Sequence, residues 1–600
     1  MTPMADPLRR SSQFLLPLYK EEPAPDGYDI YPVLPLTGGV MAAGYADLAK
    51  DLAQHRLVLL DGFAGILWDE FRTGLSHEFH KLGLEVSWIL TSDHFKPEEQ
   101  INRMVEPFIG GDDPIFGYRS DLELKEWFDF PGDSGTTHPE RGMTLICGMG
   151  AFLFRPAGYR VYVDLPKNEL QFRSRAGSIS NLGASKAIDP KPAYKRFYFV
   201  DWPVLNRHKE VFLPLIDLIV DGQRPVDPVF TSGEALRNSL EAAGRGVFRV
   251  RPWFEPGPWG GQWIRNRIGG LNHEVVNYAW SFELIVPENG LIFTRNGLML
   301  EVSFDFLMFQ AGESVLGMHH AVYGDEFPIR FDFLDTFDGG NLSVQCHPMP
   351  AYIKSRFGER FTQEECYYIL DAAEDATCYL GFHEDIDPVS FRSDLERSFQ
   401  NSEPVDIERY VQVHPSRRHD FFLIPPGTVH GSGINNLVLE ISTTPYIFTF
   451  KMYDWLRMDL DGKPRPLNIN RAMENLCFDR KGRYVSENLI SKPVLIEKRA
   501  DWVRWQLPTH EKHSYEVFRY RFSSSVRVET HGRCHVLSLV EGTSMTVEAE
   551  GVVKQRFHYA ETLVVAAAAR GYTLVNEGAG EAMVVVAMMK EMGAKPGGCA

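Results

Sequence analysis

The apolar positions of this chain change period along its length. Between residues 46 and 240, apolar runs such as RLVLLDG (56–62) and LEVSWIL (84–90) alternate with longer amphipathic stretches. In AGILWDEFRTGLSHEFHKLG (64–83), Ile66, Phe71, Leu75 and Phe79 recur at helix spacing. Strand, helix and strand in turn predict an α/β layer. RPWFEPGPWGG (251–261), dense in Pro and Gly, reads as a linker. Beyond it, short strands are broken by Gly, Pro and Asp turns, with helices expected just upstream of QEECYY (363–368) and near 468–477. That pattern predicts an all-β barrel with an inserted helical region. From about residue 510 a second string of strands, among them VRVETHGRCHVLSLVEG and AMVVVAMMK, predicts another small barrel, and the two β segments read as a diverged repeat. The expected division is an N-terminal arm (1–45), an α/β domain (46–245), a barrel (246–508) and a second barrel (509–600).

One strand carries chemistry. In NLSVQCHPMP (341–350), Leu342, Val344 and Cys346 share one face, and Ser343, Gln345 and His347 the other. The stretch 363–382 places Glu365 on the same face as Tyr367 and Ile369, so a carboxylate joins an apolar side, where it needs a partner such as a divalent metal. In HDFFLIPPGTVHGSGINNLVLEI (419–441) a Pro-Pro-Gly turn delivers His430 to the start of a strand. Gln345, His347, Glu365 and His430 together offer two imidazoles, a carboxylate and an amide oxygen, a set suited to zinc with room for water or substrate.

Bulk properties narrow the classes. Six hundred residues exceed what one core holds. A net charge of −18 argues against nucleic acid or an anionic membrane as partner. Seven scattered cysteines without a CxxC pair point to a reducing compartment. The N-terminal apolar run FLLPL is too short for a signal peptide, and no run approaches the ~18 apolar residues of a membrane helix, so the cytoplasm is expected.

FPIRFDFLDTFDGGNLSVQCHP, ECYYILDA, PPGTVHG and FKMYDWLRMDLDGKPRPLNI, in that order, resemble the class I phosphomannose isomerases, zinc enzymes of the cupin (jelly-roll) fold, over roughly residues 250–590. WGGQWI (259–264) and YAWSFEL (278–284) look like that family's opening segments. The resemblance implies one Zn²⁺ held by Gln345, His347, Glu365 and His430, with Ser343 beside them in the sugar pocket, and a metal-free second cupin. Three family basic positions read Gln363, Asp332 and Lys451 here. A 6-phosphate would then depend on Arg356, Arg457, Lys463 or Arg465, because lysine offers a point charge where arginine offers a fork.

The expected activity is zinc-dependent interconversion of an aldose and a ketose, mannose 6-phosphate and fructose 6-phosphate in the family, with sugar specificity altered by the replaced basic residues. The candidates for general base are metal-bound water, Lys451 and Asp332. The alternatives are a non-catalytic metal- and sugar-binding regulator, or another metal-dependent cupin enzyme acting on an unphosphorylated sugar. A small sugar or sugar phosphate is the expected partner, and a homo-oligomer is compatible with the sequence.

In LLDGFAGILWDEF (59–71) a strand enters a glycine loop and a helix where a phosphate-binding loop would sit, but the motif's second glycine, lysine and hydroxyl fall on Leu67, Trp68 and Asp69. Together with TSDHF (91–95) and the stretches 162–175 and 194–210, the layout resembles a degenerate P-loop domain of the uridine-kinase branch. Phosphoryl transfer from ATP is not expected. Arg173, Arg175, Lys195 and Arg196 are candidates to line a regulatory nucleotide or sugar-phosphate site, or equally a solvated face.

Overall fold

Runs of Val, Leu and Ile with no polar alternation need cover on both faces, and the first half of the chain supplies it with helices. The computed structural model describes residues 7–591, apart from 22, 24–26, 112, 131–141, 459–461, 463–464 and 552–553. The chain forms two compact units: Met1–Glu22, Tyr31–Gly244 and Pro287–Ala311 make one, and Pro23–Ile30, Arg245–Val286 and Gly312–Ala600 the other.

In the first unit, β1 (Leu57–Gly62), β2 (Val86–Leu90), β3 (Met143–Cys147), β4 (Tyr159–Asp164) and β5 (Leu218–Asp221) run parallel in the order β2-β3-β1-β4-β5. Val229–Ser232 and Met41–Ala43 extend the sheet antiparallel. Helix α1 (Trp68–Lys81) buries Phe71, Leu75 and Phe79, as the spacing predicts, and Ile66 lies just ahead of it. The residues read as an arm contribute strands, Val33–Pro35 and Met41–Ala43.

A hairpin from beyond the Pro-Gly segment belongs to this unit. Its strands, β6 (Gly290–Arg295) and β7 (Leu298–Ser303), turn at Asn296 and Gly297, both with positive φ as a tight two-residue hairpin requires. Val33–Pro35 adds to its edge. The hairpin meets the carboxyl ends of the parallel strands: the Glu301 amide donates to Asp221 (3.0 Å) and the Ser303 amide to Asp164 (2.6 Å). Lys209 is fully buried among Asp164 (3.0 Å), Ser303 (2.7 Å) and Asp305 (3.7 Å), and Lys167 also pairs with Asp305. At the carboxyl end of β1, the Asp61 carboxylate accepts from the amides of Gly62, Gly150 and Phe152 at 2.7–2.9 Å and meets His208 at 2.8 Å. In open parallel sheets ligands bind at these carboxyl ends; here the chain's own carboxylates, lysines and hairpin fill the positions.

The second unit is β throughout its core. Trp253–Glu255, inside the segment read as a linker, is instead an edge strand pairing with Trp280–Leu284: Trp253 and Phe254 are both buried, and the flanking prolines limit it to three residues. That antiparallel sheet continues through β8 (Ile329–Asp335), β10 (Glu364–Ala372), β12 (Phe421–Ile424) and β14 (Asn436–Thr443), in the order β8-β14-β10-β12, and Ile490–Ser491 pairs with β12 at the far edge. A second sheet contains β9 (Val344–Cys346), β11 (Thr377–Phe382), β13 (His430–Ser432) and β15 (Phe450–Tyr453), ordered β11-β13-β9-β15. Helices Pro350–Phe357 and Ile469–Asn475 fall where the sequence places them; Pro388–Asn401, capped by Asp387, was not anticipated. Residues 494–589 build a further pair of sheets around a core that includes Phe518, Leu537, Leu539, Leu574, Val584 and Val586. No helix among the described residues is long and apolar enough to cross a membrane.

Candidate metal centre

Glu365 owes its place to strand alternation. On β10 it faces inward with Tyr367 and lies in register with Ser442 and Ile424 of the flanking strands. The back of the strand is clamped: the Ser514 amide and hydroxyl donate to Glu364 at 2.5 and 2.7 Å, and the Tyr515 hydroxyl donates to the Ile441 carbonyl at 2.8 Å. Burial pushes the Glu364 carboxyl up to about 7, against the pull of those Ser514 hydrogen bonds.

The histidines are aimed by backbone. His347 follows β9 and is stopped by Pro348; its Nδ1 lies 3.0 Å from the Phe448 carbonyl. His430 opens β13, with Nδ1 3.0 Å from the Thr428 carbonyl. The turn before it is held by Arg480, which donates to the Pro425 and Pro426 carbonyls at 2.9 and 2.7 Å. Gly427 in that turn has φ +83°, and a Cβ there would stand 2.6 Å from the Asn475 carbonyl oxygen.

A carbonyl only accepts, so each Nδ1 of a neutral ring carries the hydrogen and each Nε2 presents a lone pair. Those lone pairs converge on one oxygen: Glu365 Oε2 lies 2.7 Å from His347 Nε2 and 3.0 Å from His430 Nε2. The three buried ligand atoms all lie within 4.8 Å of one another. Three acceptors gathered this closely repel unless a cation stands among them, and Glu365 Oε1 has no hydrogen-bond partner among the described residues. The residues therefore fit a divalent metal. Gln345 lies alongside, its amide nitrogen 3.3 Å from His430 Nε2 and its oxygen accepting from the Ser343 hydroxyl at 2.9 Å. Turning that amide over presents its oxygen to the centre.

The charges are strongly coupled. Burial alone raises the Glu365 carboxyl; only positive charge on its two imidazole neighbours outweighs it and holds the group well below the ordinary carboxylate range, and with both rings neutral a cation must supply that charge. Burial lowers His430, partly offset by Glu365. Burial, then the nearby Glu365 charge, pushes Asp332 well above its usual range.

The family model of a domain of unknown function, DUF8485, matches residues 44–245. The mannose-6-phosphate isomerase ManA of Bacillus subtilis (strain 168) is 28% identical over 224 residues, 37% of this chain and 66% of that protein. A mannose-6-phosphate isomerase of Streptococcus mutans is 28% identical over 293 residues, 47% of this chain and 81% of that one. Over about half its length this chain is homologous to mannose-6-phosphate isomerases. The chain spans just under two thirds of ManA's length. Among solved structures, the mannose 6-phosphate isomerase from Bacillus subtilis aligns at 20% identity with a TM-score of 0.46, covering 57% of this chain and 99% of that one.

The remaining candidates fall around the triad. Lys451 of β15 pairs in register with Gln345, so the two share a face. Asp332 of β8 is buried, with Oδ1 lacking a hydrogen-bond partner among the described residues. Sequence reasoning missed Glu440. It lies in register between Asp332 and Tyr367 and is pushed well above its ordinary range by burial and then by Asp332 and Glu365. Its signal was present in NLVLEIS, a lone carboxylate ending an apolar run, but its neighbours are set by register between strands distant in sequence. Arg457 and Arg465 both donate to Asp454 at 2.6 Å, Arg356 is exposed near Glu474, and Lys463 lies outside the described residues. The first unit's cations are spread out: Arg173 donates to the carbonyls of Gly65, Gly222 and Gln223, Arg175 stacks over Phe172, Lys195 donates to the Asp113 carbonyl, and Arg196 to that of Leu182.

Proposed function

We propose that the chain is a zinc-dependent aldose–ketose isomerase of cytoplasmic carbohydrate metabolism. The observation that carries the reading is the convergence of His347, Glu365 and His430, each ring locked by a backbone carbonyl with Nε2 facing the carboxylate. Homology to mannose-6-phosphate isomerases over about half the chain agrees with it. Two imidazoles and a carboxylate with an amide nearby match zinc better than calcium or magnesium, which prefer all-oxygen shells. When bound, the metal supplies a Lewis acid for the oxygens on C1 and C2 of the sugar, where negative charge develops as the enediol forms.

The chain's own residues do the rest. The locked tautomers keep both Nε2 atoms unprotonated and fixed in direction, and Ser343 orients the Gln345 amide. Moving one proton between C1 and C2 requires a group that gives and takes it, and the reading assigns that role to metal-bound water, Lys451 or Asp332, the two side chains lying on different sheets.

The test is to measure bound metal and follow deuterium incorporation at C2 of aldoses and ketoses in D₂O. Exchange that is lost on chelation and restored by zinc supports the reading. A fully metallated protein that exchanges deuterium into no sugar refutes it.

A further inference from the structure

A buried cation shares the inward face of the sheet with Glu365. Arg330 of β8 lies in register with Ser442, itself in register with Glu365, so the two side chains leave the same face two strands apart, about 10 Å along the sheet. Arg330 is 5% exposed. One terminal nitrogen donates to the Pro445 carbonyl at 2.9 Å, in the loop whose Phe448 carbonyl holds His347. Its Nε has no hydrogen-bond partner, and the guanidinium no ion pair, among the described residues. An arginine does not shed its proton, so burying one without a counter-ion is costly unless a ligand brings the negative charge.

The neighbouring groups point the same way. In the adjacent row Asp332, Glu440 and Tyr367 stand in register, and both Asp332 Oδ1 and the Tyr367 hydroxyl are buried without hydrogen-bond partners among the described residues. Buried polar groups left open on one inward face mark a place for a polar ligand. Burial, then neighbouring carboxylates, pushes Asp332 and Glu440 well above their usual range, which favours their neutral forms, so neither offers Arg330 a full negative charge. A second cation, Lys451, lies on the other sheet, one strand from Gln345 and so close to the metal, whereas Arg330 is two strands from Glu365. We infer that Arg330 sets specificity by binding an anionic group, a phosphate or a carboxylate, at the end of the sugar away from the metal. A guanidinium suits either anion, because its planar fork donates in parallel to two oxygens. This rests on the isomerase reading of the same centre.

The test uses the full chain loaded with zinc. Deuterium exchange in D₂O is compared for mannose, mannose 6-phosphate and mannuronate, whose C6 is a carboxylate. Calorimetry measures binding of sorbitol, sorbitol 6-phosphate and gluconate, a neutral chain and two anionic ones that do not isomerise. The expected result is kcat/KM for at least one anionic sugar roughly tenfold or more above that for mannose, with the same order among the three binding probes. Which anion gains tells phosphate from carboxylate. Arg330→Met should bring the ratio of anionic to neutral ligand close to one in both assays, and Arg330→Lys should restore part of it, each at unchanged zinc content. A residue that only packs, or only balances the buried carboxyl groups, would lower every ligand alike and leave the ratio intact; that result overturns the assignment. So does a wild-type preference for mannose and sorbitol, which needs no variant to fold. Exchange with no sugar at full zinc occupancy would remove the isomerase reading, and the ratio among the binding probes would then decide Arg330 by itself.

Discussion

At the residue scale, the centre is a balance of acceptors that only a cation resolves. Glu365→Gln removes the oxygen on which both imidazoles converge, and zinc affinity should fall by at least the roughly 100-fold seen when a supporting group alone is lost. Metal analysis after dialysis against a weak chelator checks this, and full retention of zinc would count against the assignment. Histidines elsewhere give a second expectation. Burial, aided by Arg533, pushes His535 down to about 3; burial, aided by Arg418 and Arg480 respectively, pushes His419 and His510 down to about 4. Because these folded values lie below the unfolded value near 6.5, the unfolded chain takes up protons first on acidification. Their contribution to stability is complete above about pH 6.5 and declines as pH falls toward 4 and then 3. The urea midpoint should therefore drop across that window, and a midpoint that stays flat from pH 7 to 4 would contradict it.

At the element scale, the strands that carry the ligands were legible because alternation is a local signal: Gln345 with His347, and Glu365 among apolar neighbours, can be read from a few residues each. What lay beyond reach was pairing. Glu440 becomes part of the centre only through its register with Asp332 of a strand about a hundred positions away, and no local pattern specifies that neighbour. LIFTRNGLML (291–300) announces a hairpin through Asn296-Gly297, yet nothing in it says which unit it joins. The Pro-Pro-Gly turn is the element whose geometry matters most to His430. Gly427→Ala places a Cβ in the left-handed region against the Asn475 carbonyl, which should cost about 1–3 kcal/mol and weaken zinc binding along with stability. Paired melting and metal titrations would show the two losses together; an alanine variant with unchanged zinc affinity would mean the turn does not position the ring.

At the scale of the whole molecule, the first unit holds buried charge where related architectures hold ligands. Lys209 neutralises Asp164 and lies near Asp305, so Lys209→Met leaves buried carboxylates uncompensated and should destabilise that unit by roughly 3–5 kcal/mol. Differential scanning calorimetry would register this as an earlier transition, and an unshifted trace would show that the cluster tolerates the loss. The returning hairpin has a wider consequence. Between Glu22 and Gly312 the backbone passes from one unit to the other five times. A single break near residue 250 therefore yields no self-sufficient halves: the leading fragment lacks two of its own strands, and the trailing fragment carries them with no sheet to join. Any lineage that sheds the leading half must excise the hairpin as well, and any experimenter who wants the metal-bearing half alone must design its replacement.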